Sequence, residues 1–114
     1  MNVAFGISLT GLEVAQRRLE ASANNVANIN TPAFKASEVV GVALPTGGVR
    51  ADVRPTNDPA SYAPGGNGGT ILQSNTDPVR EMVARTTAIT SYRANVSTMR
   101  REDEAERSLL DVKA

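Results

Sequence analysis

The chain has 114 residues, and its twelve basic and twelve acidic side chains give a formal net charge of zero. That length holds one domain, and the balanced charge gives no global field to draw the chain to nucleic acid or an anionic membrane surface. Cys, His and Trp are absent, which removes disulfides, thiolate and imidazole metal sites, and every Cys- or His-dependent catalytic arrangement. With so few aromatics, narrow helix seams are a better use of the apolar residues than a large globular core. Near-neutrality favours self-association. No basic n-region precedes Arg17, the first cation. Neither a cleaved secretory signal nor membrane insertion is therefore expected, and taken alone this reads as a cytosolic protein.

Residues Val3 to Ala27 carry apolar side chains seven apart at Phe5, Leu12, Leu19 and Val26, with Leu9, Gln16 and Ala23 four residues after the first three. This spacing predicts a helix of about 25 residues, roughly 37 Å long, with a narrow stripe suited to one or two partner helices. Ser8, Ala15 and Ser22 flank the stripe and allow a partner backbone to come close. Gly6 and Gly11 each cost about 1 kcal/mol against Ala in a helix interior, so the first turns should need a partner. From periodicity alone, a helix facing its own core is the commoner use of such a stripe. In Asn28-Ile29-Asn30-Thr31-Pro32 the asparagines accept turn backbone and Pro32 pushes Thr31 out of the helical region, which ends the helix.

Beyond Lys35, Glu38–Leu44 and Val49–Arg54 flank the turn Pro45-Thr46-Gly47-Gly48, and a β-hairpin over roughly 38–44 and 49–54 is predicted. Residues 55–69 have the Pro/Gly/Asn content of an irregular loop. The run Gly65-Gly66-Asn67-Gly68-Gly69 lacks the Lys-Ser/Thr of a phosphate loop. Thr70–Gln73 is expected to add a third strand to the hairpin. Asp77 then caps a second helix, Pro78 suits its first position, and Glu81 favours the positive end of the helix dipole. Its stripe is Met82, Ile89 and Val96, with Tyr92 and Met99 interleaved. From Arg100 to Arg107 charge crowds two turns, which is the pattern of a solvated face, with Arg100–Glu104 and Asp103–Arg107 at pairing distance along a helix.

The predicted fold is mainly α. Two long terminal helices pair as an antiparallel or coiled-coil-like hairpin, with a small β-hairpin and a Gly/Pro-rich loop between them. The segments are 1–35, 36–75 and 76–114, in one structural domain. No residues converge on a catalytic site, so no enzyme activity, cofactor or small-molecule substrate is expected.

Asn24-Asn25-Val26-Ala27-Asn28-Ile29-Asn30-Thr31-Pro32-Ala33-Phe34-Lys35 resembles the A-N-x-x-T-P-G-Y-K motif near the N-terminus of bacterial flagellar axial proteins. Asn25, Ala27, Asn28, Thr31, Pro32, Phe34 and Lys35 carry the likeness, with Ala33 where Gly is usual and Phe34 where Tyr is usual. Asp77-Pro78-Val79-Arg80-Glu81-Met82-Val83 and Ser91-Tyr92-Arg93-Ala94-Asn95-Val96 are similar to the opening of the C-terminal helix of the proximal rod proteins. With only about 40 residues between the motifs there is no room for the β-domain of hook and distal rod relatives, so the chain most resembles a shortened proximal rod protein.

The resemblance implies a structural subunit of the basal-body rod, exported by the flagellar apparatus without a cleaved signal and self-assembling through its terminal helices into a torque-transmitting tube that crosses the periplasm. Its partners would be copies of itself, other rod proteins and the export apparatus. Phe5, Leu12, Leu19 and Val26 would form the N-terminal seam, faced by Met82, Ile89, Tyr92, Val96 and Met99. The motif would shape the exit from the first helix, with Asn25 and Asn28 either ending the helix or meeting a neighbour. Asn28→Leu is expected to harm assembly more than Asn24→Leu. A cytosolic helical-hairpin adaptor is the alternative reading.

Overall fold

The computed structural model describes residues 3–113; Met1, Asn2 and Ala114, the ends of the first and third predicted segments, lie outside them. In chain order the elements are helix α1 (Val3–Ala27), strands β1 (Ser37–Ala43), β2 (Val49–Pro55), β3 (Tyr62–Pro64) and β4 (Thr70–Leu72), and helix α2 (Pro78–Lys113). The fold is mainly helical, as expected. The molecule is a rod of 79 × 24 × 15 Å.

The two helices run antiparallel. Asn25 meets Glu81 near one end, and fourteen residues along each helix the backbone of Gly11 lies against Asn95. Side chains on the paired faces are small or polar: Ser8, Ala15, Ser22 and Asn25 on α1, and Glu81 and Ala88 on α2, are buried. An ideal Cβ on Gly11 would stand 2.7–2.9 Å from the Asn95 amide group. The helices therefore close on small residues, and no large apolar side chain separates them at this point.

β1 and β2 form the expected hairpin, antiparallel with Val40 opposite Asp52. Pro45 pre-sets the turn, and Gly47 and Gly48 both take positive φ (93° and 86°), which costs glycine nothing. The hairpin lies along α1. Arg18 Nε donates to Val39 O (3.3 Å), the Val49 amide donates to Thr10 Oγ1 (3.1 Å), and Gly41 lies over Val14 and Arg18.

Thr70–Gln73 does not extend this hairpin. Thr70–Leu72 pairs with Tyr62–Pro64 in a separate two-stranded sheet, so the stretch expected to be irregular holds a strand. The glycine run supplies the tight return: Gly68 takes φ 78°, and the Gly65 amide donates to Gly69 O at 2.7 Å. A strand that can close locally on its own chain has no need of the distant edge.

At the start of α2, Asp77 Oδ1 accepts from the amides of Val79 (2.9 Å) and Arg80 (3.4 Å), as an N-cap does. The helix continues through the charged block to Lys113. Asp103–Arg107 forms at 3.0 Å between exposed groups, while among the described residues Arg100 and Glu104 form no ion pair. Such an exposed pair contributes little.

The buried apolar set is only Val14, Ala15, Ala36 and Ala88, accompanied by Ser8, Ser22, Asn25, Thr76 and Glu81. A core this small and this polar gives little hydrophobic stabilisation. The packing around the two helical glycines differs. A Cβ on Gly6 meets nothing within 4 Å, whereas one on Gly11 meets Asn95. Gly6→Ala should raise stability by up to ~1 kcal/mol through helix propensity. Gly11→Ala should gain nothing or lose stability. Urea unfolding of both variants measures the contrast.

Candidate functional site

Where α1 ends, the chain must turn into β1 and later re-enter at α2, and one side chain ties the three segments together. Asn25 is 1% exposed. Its Nδ2 donates to Ser37 O (2.7 Å) and to Glu81 Oε1 (2.9 Å), and its Oδ1 accepts from the Ser37 amide (2.9 Å). The amide thus pairs with Ser37 as a strand residue would, and holds the first turn of α2 with its remaining donor. Thr76 Oγ1 donates to Asn25 O (3.2 Å), and Ser22 Oγ donates to Glu81 O (3.4 Å).

A second asparagine repeats the device one layer out. Asn75 Oδ1 accepts from the Ala36 amide (2.6 Å), and its Nδ2 donates to Thr56 Oγ1 (3.2 Å) and Asp58 O (3.0 Å). Arg80 closes the outer side through an ion pair with Asp58. Among the described residues no buried side-chain polar atom lacks a partner, as a polar junction of this kind requires.

Of the motif residues, Asn28 is on the surface side of the helix end. Its Nδ2 donates to Asn24 O (2.9 Å) and its Oδ1 accepts from Thr31 Oγ1 (3.1 Å). Ala27, Thr31, Pro32 and Lys35 are exposed and Phe34 is half-buried. Ala33 has φ 58°, and it is the one described non-glycine residue in the left-handed region. The backbone there asks for glycine, which is the residue usual at this motif position. The Ala33 amide donates to Leu72 O (2.8 Å), so this bend also fixes β4.

The predicted seam residues take a different place within the chain. On α1, Leu9 and Leu12 each follow a paired-face position, Ser8 and Gly11, by one residue; on α2, Met82, Ile89 and Val96 follow Glu81, Ala88 and Asn95 in the same way. One residue is a 100° turn. Because the helices run in opposite directions, both sets come to the same side of the pair. Ile7, Thr10 and Val14, one residue before the paired positions, meet the β-hairpin on the other side. Phe5, Leu12, Leu19, Val96 and Met99 are half-buried, while Val26, Ile89 and Tyr92 are exposed and Met82 is 68% exposed. These side chains form an apolar strip flanking the helix pair. At Gly11 and Asn95 the helices approach too closely to admit a large side chain between them.

Residues 6–35, which span most of α1 and its exit, match the family model described as flagella basal body rod protein. This segment is similar to that of flagellar basal-body rod proteins. No curated protein matches the chain. The polar junction and the Ala33 bend fall within or against the matched segment. No described helix is long and apolar enough to cross a membrane. Asn75 and Thr76 were invisible to sequence reasoning, since nothing in a loop sequence marks which asparagine faces inward.

Two substitutions probe this site. Asn25→Asp keeps the shape, removes the donors and sets a carboxylate against Glu81, so it should cost about 3 kcal/mol. Asn24→Asp, on the exposed side, should stay within about 0.5 kcal/mol. Ala33→Gly relieves the left-handed backbone and should stabilise by about 1 kcal/mol after the entropy of glycine is counted. Denaturant midpoints at unchanged m-value measure all three.

Proposed function

We propose that this chain is a shortened proximal-type subunit of the flagellar rod, which assembles with copies of itself and with other rod proteins through its terminal helices into the helical axial tube. The observation that carries this reading is the apolar strip on one side of an antiparallel helix pair whose N-terminal helix matches the rod family. The β-hairpin covers the opposite side of the pair. The molecule is therefore two-faced, with one side ready for neighbours. Repeated heterologous contacts of such a subunit generate an open helical array. Torque transmission follows from a tube of laterally packed helices. The three predicted segments act as one unit because the junction ties them together. Passage through the flagellar export apparatus without a cleaved signal and residence in the periplasm-spanning rod are parts of the same proposal. The role is mechanical, and no catalytic chemistry is assigned.

The test is mass spectrometry of hook–basal bodies purified from the source organism, with the wild-type chain and with Met82→Glu/Ile89→Glu. Both positions are exposed, so the variant should stay within ~0.5 kcal/mol of wild type as a monomer. The wild-type chain should be present in several copies and the variant depleted. A chain absent from basal bodies and soluble in the cytosol would instead be a helical adaptor. Incorporation of the variant at wild-type level would remove the strip from the assembly.

A further inference from the structure

The turn between β3 and β4 is the run Gly65-Gly66-Asn67-Gly68-Gly69, and Asn67 is the one asparagine of the chain that precedes a glycine. An asparagine side chain places its amide carbon within reach of the next main-chain nitrogen. A Cβ on that next residue hinders the approach, and glycine has none. The turn leaves the approach open in other ways. Asn67 is exposed, and a Cβ on Gly66, Gly68 or Gly69 would meet nothing within 4 Å. The Gly68 amide donates to Gly65 O at 3.3 Å, beyond the usual length of such a bond, so its nitrogen is loosely held. Among the described residues nothing bonds to the Asn67 side chain.

The other described asparagines lack this combination. The side chains of Asn24, Asn25, Asn28, Asn75 and Asn95 are all held in hydrogen bonds. Asn30 and Asn57 precede Thr31 and Asp58, whose side chains crowd the attacking nitrogen.

We propose that Asn67 is a site of spontaneous deamidation, which passes through a cyclic imide with Gly68 and leaves isoaspartate in the turn. The Gly68 nitrogen gives up its proton and bonds to Asn67 Cγ, while the Cγ–Nδ2 bond breaks and ammonia leaves with that proton. One water then opens the imide. Cleavage between the nitrogen and Cγ gives aspartate. Cleavage between the nitrogen and the main-chain carbonyl carbon gives isoaspartate, with the chain rerouted through Cγ. No oxidant or reductant takes part. Either product adds one negative charge to a chain whose formal charge is zero.

Isoaspartate also lengthens the main chain by a methylene inside a turn closed by Gly65–Gly69 and Gly68–Gly65 bonds. A two-stranded sheet of three-residue strands has little to resist that change. Leu72 at the end of β4 accepts from the Ala33 amide, and the Gln73 amide donates to Ser61 O, so loosening at Asn67 reaches the Ala33 bend. This inference does not draw on the assembly reading.

The test ages the full-length protein in neutral buffer, digests it under mildly acidic conditions and follows each asparagine peptide by mass spectrometry with fragmentation that separates isoaspartate from aspartate. Asn67 should convert an order of magnitude faster than Asn30 or Asn57, with isoaspartate exceeding aspartate. Gly68→Ala should slow the conversion by a similar factor, and Asn67→Gln should abolish the early acidic species on ion exchange. In the isoaspartate fraction, hydrogen exchange at Ala33 and Gln73 should rise severalfold while Ser37 stays protected. Conversion of Asn67 no faster than that of Asn30 and Asn57, or aspartate formed without isoaspartate, would overturn the site. Unchanged exchange at Ala33 and Gln73 in the isoaspartate fraction would overturn its effect on the sheet.

Discussion

A helix that ends where a strand begins leaves backbone groups on both elements without regular partners, and this chain resolves that problem with one buried amide. Asn25 offers a donor and an acceptor to the two backbone groups of Ser37 and a further donor to Glu81. No other side chain of its size and shape does this: Asp has no donor when ionised, and Leu has neither group. The position therefore couples the end of α1, the start of β1 and the first turn of α2. Because buried polar groups are costly when unpaired, the three segments must close together. Thr76 and Asn75 extend the arrangement to the loop that feeds α2.

With the base fixed in this way, the pairing of the helices above it is set by size. Gly11 lies against Asn95 and Ser22 bonds to the backbone of Glu81, while Ser8, Ala15 and Ala88 are buried small residues along the same helices. Leu9 and Leu12 on α1 and Met82, Ile89 and Val96 on α2 are displaced by about 100° from the paired faces to one side, while Ile7 and Val14 turn to the other. The β-hairpin occupies the other side, where Gly41 lets β1 lie on Val14 and Arg18. A chain folded like this hides little apolar surface from water and keeps a continuous strip for neighbours, which is what a part of an assembly needs and a free-standing domain avoids.

Much of this was legible in the sequence. The heptad spacing, the Asn-rich stop before Pro32 and the Asp77-Pro78 start give the span of α1 and the start of α2, and Pro45-Thr46-Gly47-Gly48 gives the first hairpin. The second sheet was missed because three-residue strands around a glycine run have too little pattern to read. The placement of the apolar stripe was also not legible. Heptad spacing says that Phe5, Leu12 and Leu19 share a face, but whether that face or the small-residue face beside it meets the partner depends on how closely the backbones approach. Asn25 and Asn28 look equivalent in the motif. Only the fold shows that the first is enclosed by three segments while the second bonds to its own helix end.

Native-state hydrogen exchange tests the central claim most directly, at the amides of Ala36 and Ser37. Neither has a helical acceptor, and both donate to buried or half-buried asparagine side chains. If the junction holds the fold together, these two amides exchange as slowly as the first turns of α2, and Asn25→Asp releases Ser37 and the base of both helices together. Exchange of Ala36 and Ser37 at the rate of an open loop, with the helices still protected, would contradict the account and place the stability of the pair in the helix contact alone.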